Sequence, residues 1–340
     1  MGSMLRQVET LPEAFIDTPP PQLAALLGGP TLVHLPGRRE SPLFVSVLLH
    51  GNETTGLLAV QALLARYYDR ELPRSLSLFI GNVDAARDGL RRLAGQPDYN
   101  RVWPGSEYPD TPEKRMMAEV FDAVRVRQPF ASVDVHNNTG INPHYACINR
   151  VDHRYVQLAS LFSRTLVYFI RPKGVQSLAF AEICPAVTVE CGKVGQSAGE
   201  QHALEFLDAC LHLNEIPDQP VAEQDVDVFH TVAIVRVPRS LSFGFGDSSV
   251  DICFIEDLDH LNFRELPAGS TLANLNGVTS LPLEVSDEQG NEVASRYFTV
   301  KDGLLQTLRP LMPSMFTLDE RVIRQDCLGY LMERYPLSNQ

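Results

Sequence analysis

Positive charge is scarce in this chain. Lys and Arg together number 29 against 42 Asp and Glu, a formal net charge of −13 at pH 7 over 340 residues. Such a field repels phosphate backbones and anionic lipid surfaces, which excludes nucleic acid as a partner, while a local basic pocket for a small anion remains compatible with it. Long apolar runs are also missing. The longest near the start, Leu43 to Leu49, is strand-sized and far short of the roughly 18 to 20 residues that cross a bilayer, so no membrane association is expected. Six cysteines (Cys147, Cys184, Cys191, Cys210, Cys253 and Cys327) include no close C-x-x-C pair, which excludes a zinc ribbon and a dithiol redox motif. Reduced thiols in a cytoplasmic protein are the expectation. Met1-Gly2-Ser3-Met4 has neither the basic nor the apolar region of a leader, and it reads as an expression remnant. No internal repeat or low-complexity tract is present, so solenoids and propellers drop out.

What the chain does have is ample core material, 44% hydrophobic residues against 21% charged, enough for one large domain or two unequal ones. From about residue 30 to 215, short runs rich in Val, Leu and Ile alternate with segments of helical period. Leu43 to Leu49, Ser75 to Ile80, Ala131 to Val135, Leu166 to Ile170 and Ala186 to Val189 read as strands; Thr55 to Tyr68, Pro112 to Arg127, Arg154 to Phe162 and Gly199 to Leu213 read as crossover helices. That pattern predicts an α/β fold with a mostly parallel sheet covered by helices. The periodicity breaks at Asn214-Glu215-Ile216-Pro217-Asp218-Gln219-Pro220. Beyond it, Phe229 to Val237, Val250 to Ile255, Leu281 to Val285 and Arg296 to Val300 are short and turn-bounded. The expected organisation is a first domain over 1–215 and a small β-rich domain over 221–340.

His50-Gly51-Asn52-Glu53 follows the first strong strand and places an imidazole and a carboxylate three residues apart at a strand-to-helix turn. Both can converge on one ion, and a catalytic zinc site wants three protein ligands with one position left for water. The missing ligand should be another His. Asp134-Val135-His136-Asn137 ends a second strand, and the carboxyl ends of strands in an open α/β sheet collect at one edge, which delivers His136 to the side where His50 lies. Read alone, H-x-x-E is as readily an ordinary surface turn. Asp134 shares a strand face with His136 and either orients that ring or serves as a strand-end hydrogen-bond partner.

Arginine concentrates in Arg87, Arg91, Arg92 and Arg101, just after a strand. A guanidinium grips a carboxylate in a two-pronged geometry and stays charged at any working pH, so the cluster suits carboxylate binding; a solvated arginine-rich loop is the other reading. In Val187-Thr188-Val189-Glu190-Cys191-Gly192 an acid ends an apolar strand. Burying an unpaired carboxylate is costly, so Glu190 needs a reason to be there.

Taken in this order, the four segments resemble the succinylglutamate desuccinylase and aspartoacylase family, related in fold to zinc carboxypeptidases. His50-Gly51-Asn52-Glu53 is similar to that family's first two zinc ligands, Asp134-Val135-His136-Asn137 to its third, Asp98-Tyr99-Asn100-Arg101 to its D-x-N-R signature, and Val189-Glu190-Cys191-Gly192 to its catalytic-acid strand. The resemblance spans roughly residues 40 to 215. It implies a zinc-carboxypeptidase-like mixed, mostly parallel sheet with helices on both faces, and a small C-terminal β-rich domain capping the cleft. It further implies one zinc ion on His50, Glu53 and His136, Glu190 as base and proton shuttle, Arg91 as the group polarising the scissile carbonyl, and Asn100 with Arg101 holding the substrate carboxylate. The expected activity is zinc-dependent removal of a succinyl- or acetyl-class acyl group from a small-molecule N-acyl amino acid by a metal-activated water. Homo-oligomerisation is left open.

Two departures bear on this. Asn82-Val83 stands where the family has Asn-Pro, and the stretch from Arg91 to Asn100 is longer than in aspartoacylases, so Arg92 competes with Arg91 for the carbonyl. His136-Asn137-Asn138-Thr139 is more like aspartoacylase, and Glu190-Cys191-Gly192-Lys193-Val194 more like succinylglutamate desuccinylase. A metallocarboxypeptidase acting on peptides is the nearest alternative; a non-catalytic binding protein on the same fold is the other. The lone Trp103 is read as either a cleft residue or a packed loop aromatic.

Overall fold

A computed structural model describes residues 3–246 and 249–337. Met1 and Gly2 of the expected remnant, and the last three residues of the expected second domain, lie outside the described residues. No helix among the described residues is long and apolar enough to cross a membrane. The chain divides into two compact units. The first comprises residues up to Asn137, His144–Asp227 and Leu337; the second comprises Asn138–Pro143 and Val228–Pro336.

The first unit is built on strands β1 (Arg6–Val8), β2 (Thr31–Leu35), β3 (Leu43–Val47), β4 (Leu76–Ile80), β5 (Ala131–Asn138), β6 (Tyr145–Ile148), β7 (Thr165–Tyr168) and β8 (Ala186–Lys193). They lie side by side in the order β1-β2-β4-β3-β5-β8-β6-β7. β1/β2, β3/β4, β3/β5 and β6/β7 are parallel, while β2/β4 and β6/β8 are antiparallel, so the sheet is mixed and mostly parallel as expected. Every residue of β3 and β4 is buried, which is why these segments read as continuous apolar runs and not as alternating ones.

Helices cover both faces. They are α1 (Leu23–Leu27), α2 (Thr55–Arg66), α3 (Val83–Arg87), α4 (Pro112–Arg125), α5 (His153–Ser160), α6 (Gln176–Phe180) and α7 (Ser197–His212). On one face Gly56 of α2 sits so close to Val135 that an added Cβ would lie 2.8 Å from its Cβ, and Gly199 of α7 likewise abuts the Cys191 carbonyl. On the other face α6 meets the sheet through Gln176 Nε2 donating to Ser132 at 2.7 Å and Ser177 accepting from Thr188 at 3.0 Å. Trp103 is fully buried there, edge-on to Phe44, Phe79 and Phe180. It is a packed aromatic. The α4 start is set locally, with Pro112 in the first turn and Thr111 accepting from the Lys114 amide.

In the second unit β9 (Asp227–Arg236) pairs antiparallel with β13 (Glu284–Asp287) and with β17 (Gly329–Arg334), and β17 pairs with β16 (Met312–Ser314). A separate five-stranded sheet runs β10 (Phe243–Phe245), β11 (Ile252–Phe254), β12 (Thr271–Leu275), β15 (Leu304–Thr307), β14 (Phe298–Lys301). Val235, Phe254, Val285, Leu305, Phe316 and Leu331 belong to its core. The expected strand over Arg296 to Val300 begins instead as a helical turn, α8 (Ala294–Tyr297), before β14; a last short helix is α9 (Glu320–Gln325). The segment Asn138–Pro143 is fastened inside this unit: the Asn262 side chain donates to the Ile141 and Phe316 carbonyls at 3.1 and 2.8 Å, and Asn142 accepts from the Met315 amide at 3.0 Å.

Candidate active site

The turn from β3 into α2 carries His50 and Glu53. Leu48 takes a left-handed backbone conformation (φ 56°), which turns the chain sharply off the strand. Gly51 then passes against α3 with no room for a side chain, since a Cβ there would lie 2.3 Å from the Ala86 nitrogen. Its amide donates to the Arg91 carbonyl at 3.0 Å, tying the turn to the arginine segment. β5 brings in His136 from the neighbouring strand.

His50, Glu53 and His136 converge, each offering a ligand atom within 4.8 Å of the others, and all three are buried. His50 Nδ1 lies 2.8 Å from Glu53 Oε1, and His136 Nδ1 lies 2.7 Å from Glu53 Oε2. The first contact has hydrogen-bond length without hydrogen-bond geometry: His50 Nδ1 is a buried nitrogen with no hydrogen-bond partner. An orphaned donor or acceptor of this kind calls for a group outside the protein.

The outer nitrogens of both rings face carboxylates. His50 Nε2 is 2.9 Å from Asp98 Oδ1, and His136 Nε2 is 2.7 Å from Asp134 Oδ2. A proton on each Nε2, shared with its aspartate, leaves both Nδ1 lone pairs bare toward Glu53, the tautomer a metal-binding imidazole requires. Asp134 is itself fixed, accepting from Ser46 at 2.6 Å at a fully buried position. It therefore orients the His136 ring and is also a strand-to-strand hydrogen-bond partner. Asn137 donates from its backbone to Glu53 Oε2 at 3.1 Å and from its side chain to Thr55 and to the Gly192 carbonyl, binding α2, β5 and β8 into one frame.

Arg91 sits beside the cluster, with one Nη 3.2 Å from Glu53 Oε1 and the other 3.0 Å from Asp98 Oδ2. Arg92 turns elsewhere, donating to the Gln96 carbonyl at 2.6 Å. Of the two adjacent arginines the structure brings only Arg91 to Glu53. Asn100 is buried with its side-chain oxygen accepting from the Gln176 amide at 2.9 Å and its nitrogen 3.2 Å from His136 Nε2; Arg101 donates to the Asn100 carbonyl at 2.9 Å. Glu190 lies near the C-terminal end of β8, opposite Tyr145 of β6.

Charge dominates the electrostatics. Burial pushes the Glu53 carboxyl up, but His50 and His136 outweigh it and hold Glu53 well below the usual carboxylate range. Asp98 behaves alike, held low by His50 and Arg91 against burial. Burial lowers both imidazoles, yet Asp98 and Glu53 raise His50, and Asp134 and Glu53 raise His136 well above its ordinary value. Glu190 goes the other way, pushed up to about 7 chiefly by burial, with Glu53 and Asp134 adding to the rise and His136 and His50 opposing it. Glu53, Asp98, Asp134 and Glu190 face one guanidinium and two imidazoles. Two imidazole nitrogens and one carboxylate fit a divalent ion such as zinc, and this excess of carboxylate favours a cation between them.

Asp98 is the functional candidate that residue-by-residue reading passed over: it stood only as the first letter of a signature, and its partners lie 48 and 7 residues away. An aspartate flanked by Pro97 and a tyrosine in an arginine-rich loop carries no local sign of them.

The family model for the succinylglutamate desuccinylase/aspartoacylase catalytic domain matches residues 42–215. No curated protein matches the chain by sequence. Among solved structures, the succinylglutamate desuccinylase of Chromobacterium violaceum is similar at 18% identity and a TM-score of 0.56, over 88% of this chain and 86% of that one. Murine aminoacylase 3 is similar at 16% identity and 0.60, over 88% and 96%. A succinylglutamate desuccinylase/aspartoacylase of Rhodobacter sphaeroides is similar at 16% and 0.55, over 89% and 88%. At these identities the likeness to the solved structures is one of fold. The family match covers more than half of the chain, and with it the segments that bring His50, Glu53, His136 and Glu190 together: this chain belongs to the succinylglutamate desuccinylase/aspartoacylase family.

Proposed function

We propose that the chain is a zinc-dependent hydrolase that removes an acyl group, of the succinyl or acetyl class, from the nitrogen of an N-acyl amino acid. The observation that carries this reading is the convergence of His50, Glu53 and His136, with His50 Nδ1 buried and lacking a hydrogen-bond partner, and with Glu190 near the end of a strand beside them. Zinc held by those three residues supplies a Lewis acid that makes water acidic enough to act near neutral pH.

Glu190 accepts the proton of the attacking water and returns it to the leaving amine, a role suited to a carboxyl whose pKa lies at about 7. Arg91, anchored by Asp98, presents its guanidinium to the oxygen that gains negative charge, an interaction stronger in the transition state than in the ground state. Asn100 and Arg101 hold the free carboxylate. Because His136 Nε2 shares its proton with Asp134, the Asn100 amide keeps a donor for the substrate. Asp98 and Asp134 fix the tautomers of the two imidazoles.

The test is hydrolysis of a panel of N-acyl amino acids (succinyl, acetyl and longer acyl groups on Glu, Asp and neutral residues) before chelation, after it, and after zinc return. Chelator-sensitive release of the amino acid is expected. Cleavage of peptides longer than a dipeptide would replace this reading with a carboxypeptidase, and ligand binding with no turnover would replace it with a binding protein.

A further inference from the structure

Arg91 and Asn100 ride on one loop. From Asp88 to Asp98 the chain forms neither helix nor strand, yet the groups assigned above to the scissile carbonyl and to the substrate carboxylate stand on its two arms. Leu90, Ala94 and Gly95 are exposed, and at Gly95 (φ 77°) a Cβ would meet nothing within 4 Å, so the tip stands in the open. Ordering such a segment costs conformational entropy, which contacts inside the loop must offset.

Half-buried Gln96 makes those contacts from the middle. Its Oε1 accepts from the Asn82 side chain at 2.8 Å and from the Leu93 amide at 3.0 Å, and its Nε2 donates to the Tyr99 hydroxyl at 3.1 Å. Its backbone nitrogen closes the turn over Gly95, donating to the Leu93 carbonyl at 3.2 Å. The orientation of the side chain is forced. A backbone amide can only donate, so Leu93 claims Oε1; the Asn82 oxygen is taken by the Ala85 amide at 3.2 Å, which turns the Asn82 nitrogen to Gln96. Asn82 is buried, and its own amide donates to the Leu48 carbonyl at 2.6 Å, in the turn that leads to His50.

One side chain therefore binds three points: Leu93, two residues after Arg91; Tyr99, one residue before Asn100; and Asn82, held to the turn that carries the metal-ligand candidates. The Arg91–Asp98 ion pair joins the same two arms, but it holds a guanidinium, whereas Gln96 holds the backbone on which both arms stand. The Gln96 carbonyl also takes the Arg92 guanidinium at 2.6 Å, so the same residue turns the competing arginine away from the site.

We propose that Gln96 is a positioning residue: it fixes the separation of Arg91 and Asn100, and with it the distance the site spans between the oxygen that gains charge and the carboxylate of the same substrate. This rests on the deacylase reading above.

The experiment is a double-mutant cycle in the zinc-loaded protein, on whichever N-acetyl or N-succinyl amino acid the unmodified protein hydrolyses fastest. Gln96→Met keeps the length of the side chain and removes its hydrogen bonds. It should lower kcat/KM by about 10- to 100-fold at unchanged zinc per chain. In an Arg91→Ala background the same change should cost about threefold or less, because a group it positions is gone; equal costs in the two backgrounds overturn the proposal. Tyr99→Phe releases the Asn100 arm alone and should raise KM about threefold or more with kcat within about twofold, whereas an unchanged KM overturns it. That variant keeps the test open where Gln96→Met fails to fold. Amide hydrogen exchange over residues 88–99 reads the brace without turnover: faster exchange in either variant, with β3 and β5 unchanged, supports it, and unchanged exchange overturns it. Absence of turnover in the unmodified protein sinks the deacylase reading and leaves hydrogen exchange to decide the brace.

Discussion

Asp98 lies 2.9 Å from His50, on the nitrogen opposite the one that faces Glu53, and spends its other oxygen on Arg91 at 3.0 Å. One carboxylate thus sets both the tautomer of a metal-ligand candidate and the position of the guanidinium beside it. Asp98→Asn keeps the shape and removes the charge. Metal affinity, measured by competition with a chromophoric chelator, should fall about 10- to 100-fold. An affinity equal to that of the unmodified protein would remove Asp98 from the site's support.

Glu190→Gln should keep its metal and lose roughly two to four orders of magnitude in turnover. His50→Ala and His136→Ala should instead lose metal itself, read as zinc per chain by elemental analysis after dialysis. Full occupancy in either histidine variant would overturn the ligand assignment.

With Glu190 as the base, the acid limb of the pH–rate profile should report its ionisation. Its carboxyl, pushed up to about 7 mainly by burial, accepts a proton only when ionised, so kcat/KM should fall as pH drops through its pKa. A bound cation favours the carboxylate and places the midpoint at or below about 7. The limb should vanish from the residual activity of Glu190→Gln; an unchanged limb would assign it to another group.

The same shift has a sign for stability. A carboxyl raised from 4.5 to about 7 on folding ionises more easily in the unfolded chain, so it contributes nothing below about pH 4.5 and destabilises increasingly as pH rises through 7. The cost at pH 8 is on the order of 3 kcal/mol in the metal-free protein. Metal-free Glu190→Gln should therefore melt higher than the unmodified protein at pH 8 and close to it at pH 4.5, by calorimetry at both values.

Gly51→Ala tests the turn. Its Cβ has no space against Ala86, so the turn must move off α3, taking His50 and Glu53 with it. Weaker zinc binding together with a lower Tm is expected. Retained affinity would show that the close approach is dispensable.

Much of this was legible in the sequence because the site residues break a rule in plain view. His136 and Glu190 are polar residues at the ends of apolar strands, where only partners justify burial, and His50 and Glu53 share one short turn. Fully buried β3 and β4 announced themselves as apolar runs. Strands that extend into polar sequence did not: β5 continues through Asn137 and Asn138, and β8 through Glu190 to Lys193, and the Asn137 side chain finds its partners on Thr55 and the Gly192 carbonyl, far away in sequence. The four-residue β6 between Pro143 and Arg150 was too short for its alternation to register. Spacing could not choose between Arg91 and Arg92, since adjacent residues differ only in direction, and direction is set by Glu53, Asp98 and the Gln96 carbonyl. The partners of Asp98 and the placement of Asn138–Pro143 depend on contacts distant in sequence, which no window of residues contains.

That last placement limits how the protein can be taken apart. The six residues after Asn137 are fastened by Asn262 and by the Met315 amide, more than a hundred residues later in the chain. A fragment ending at the proline-containing junction near residue 217 would carry these residues without the groups that hold them, beginning at the last residue of the strand that presents His136. The second unit is therefore not a detachable module: the chain passes between the two units at four points, after Asn137, Pro143, Asp227 and Pro336, and a deletion or a graft near residue 217 coincides with none of them.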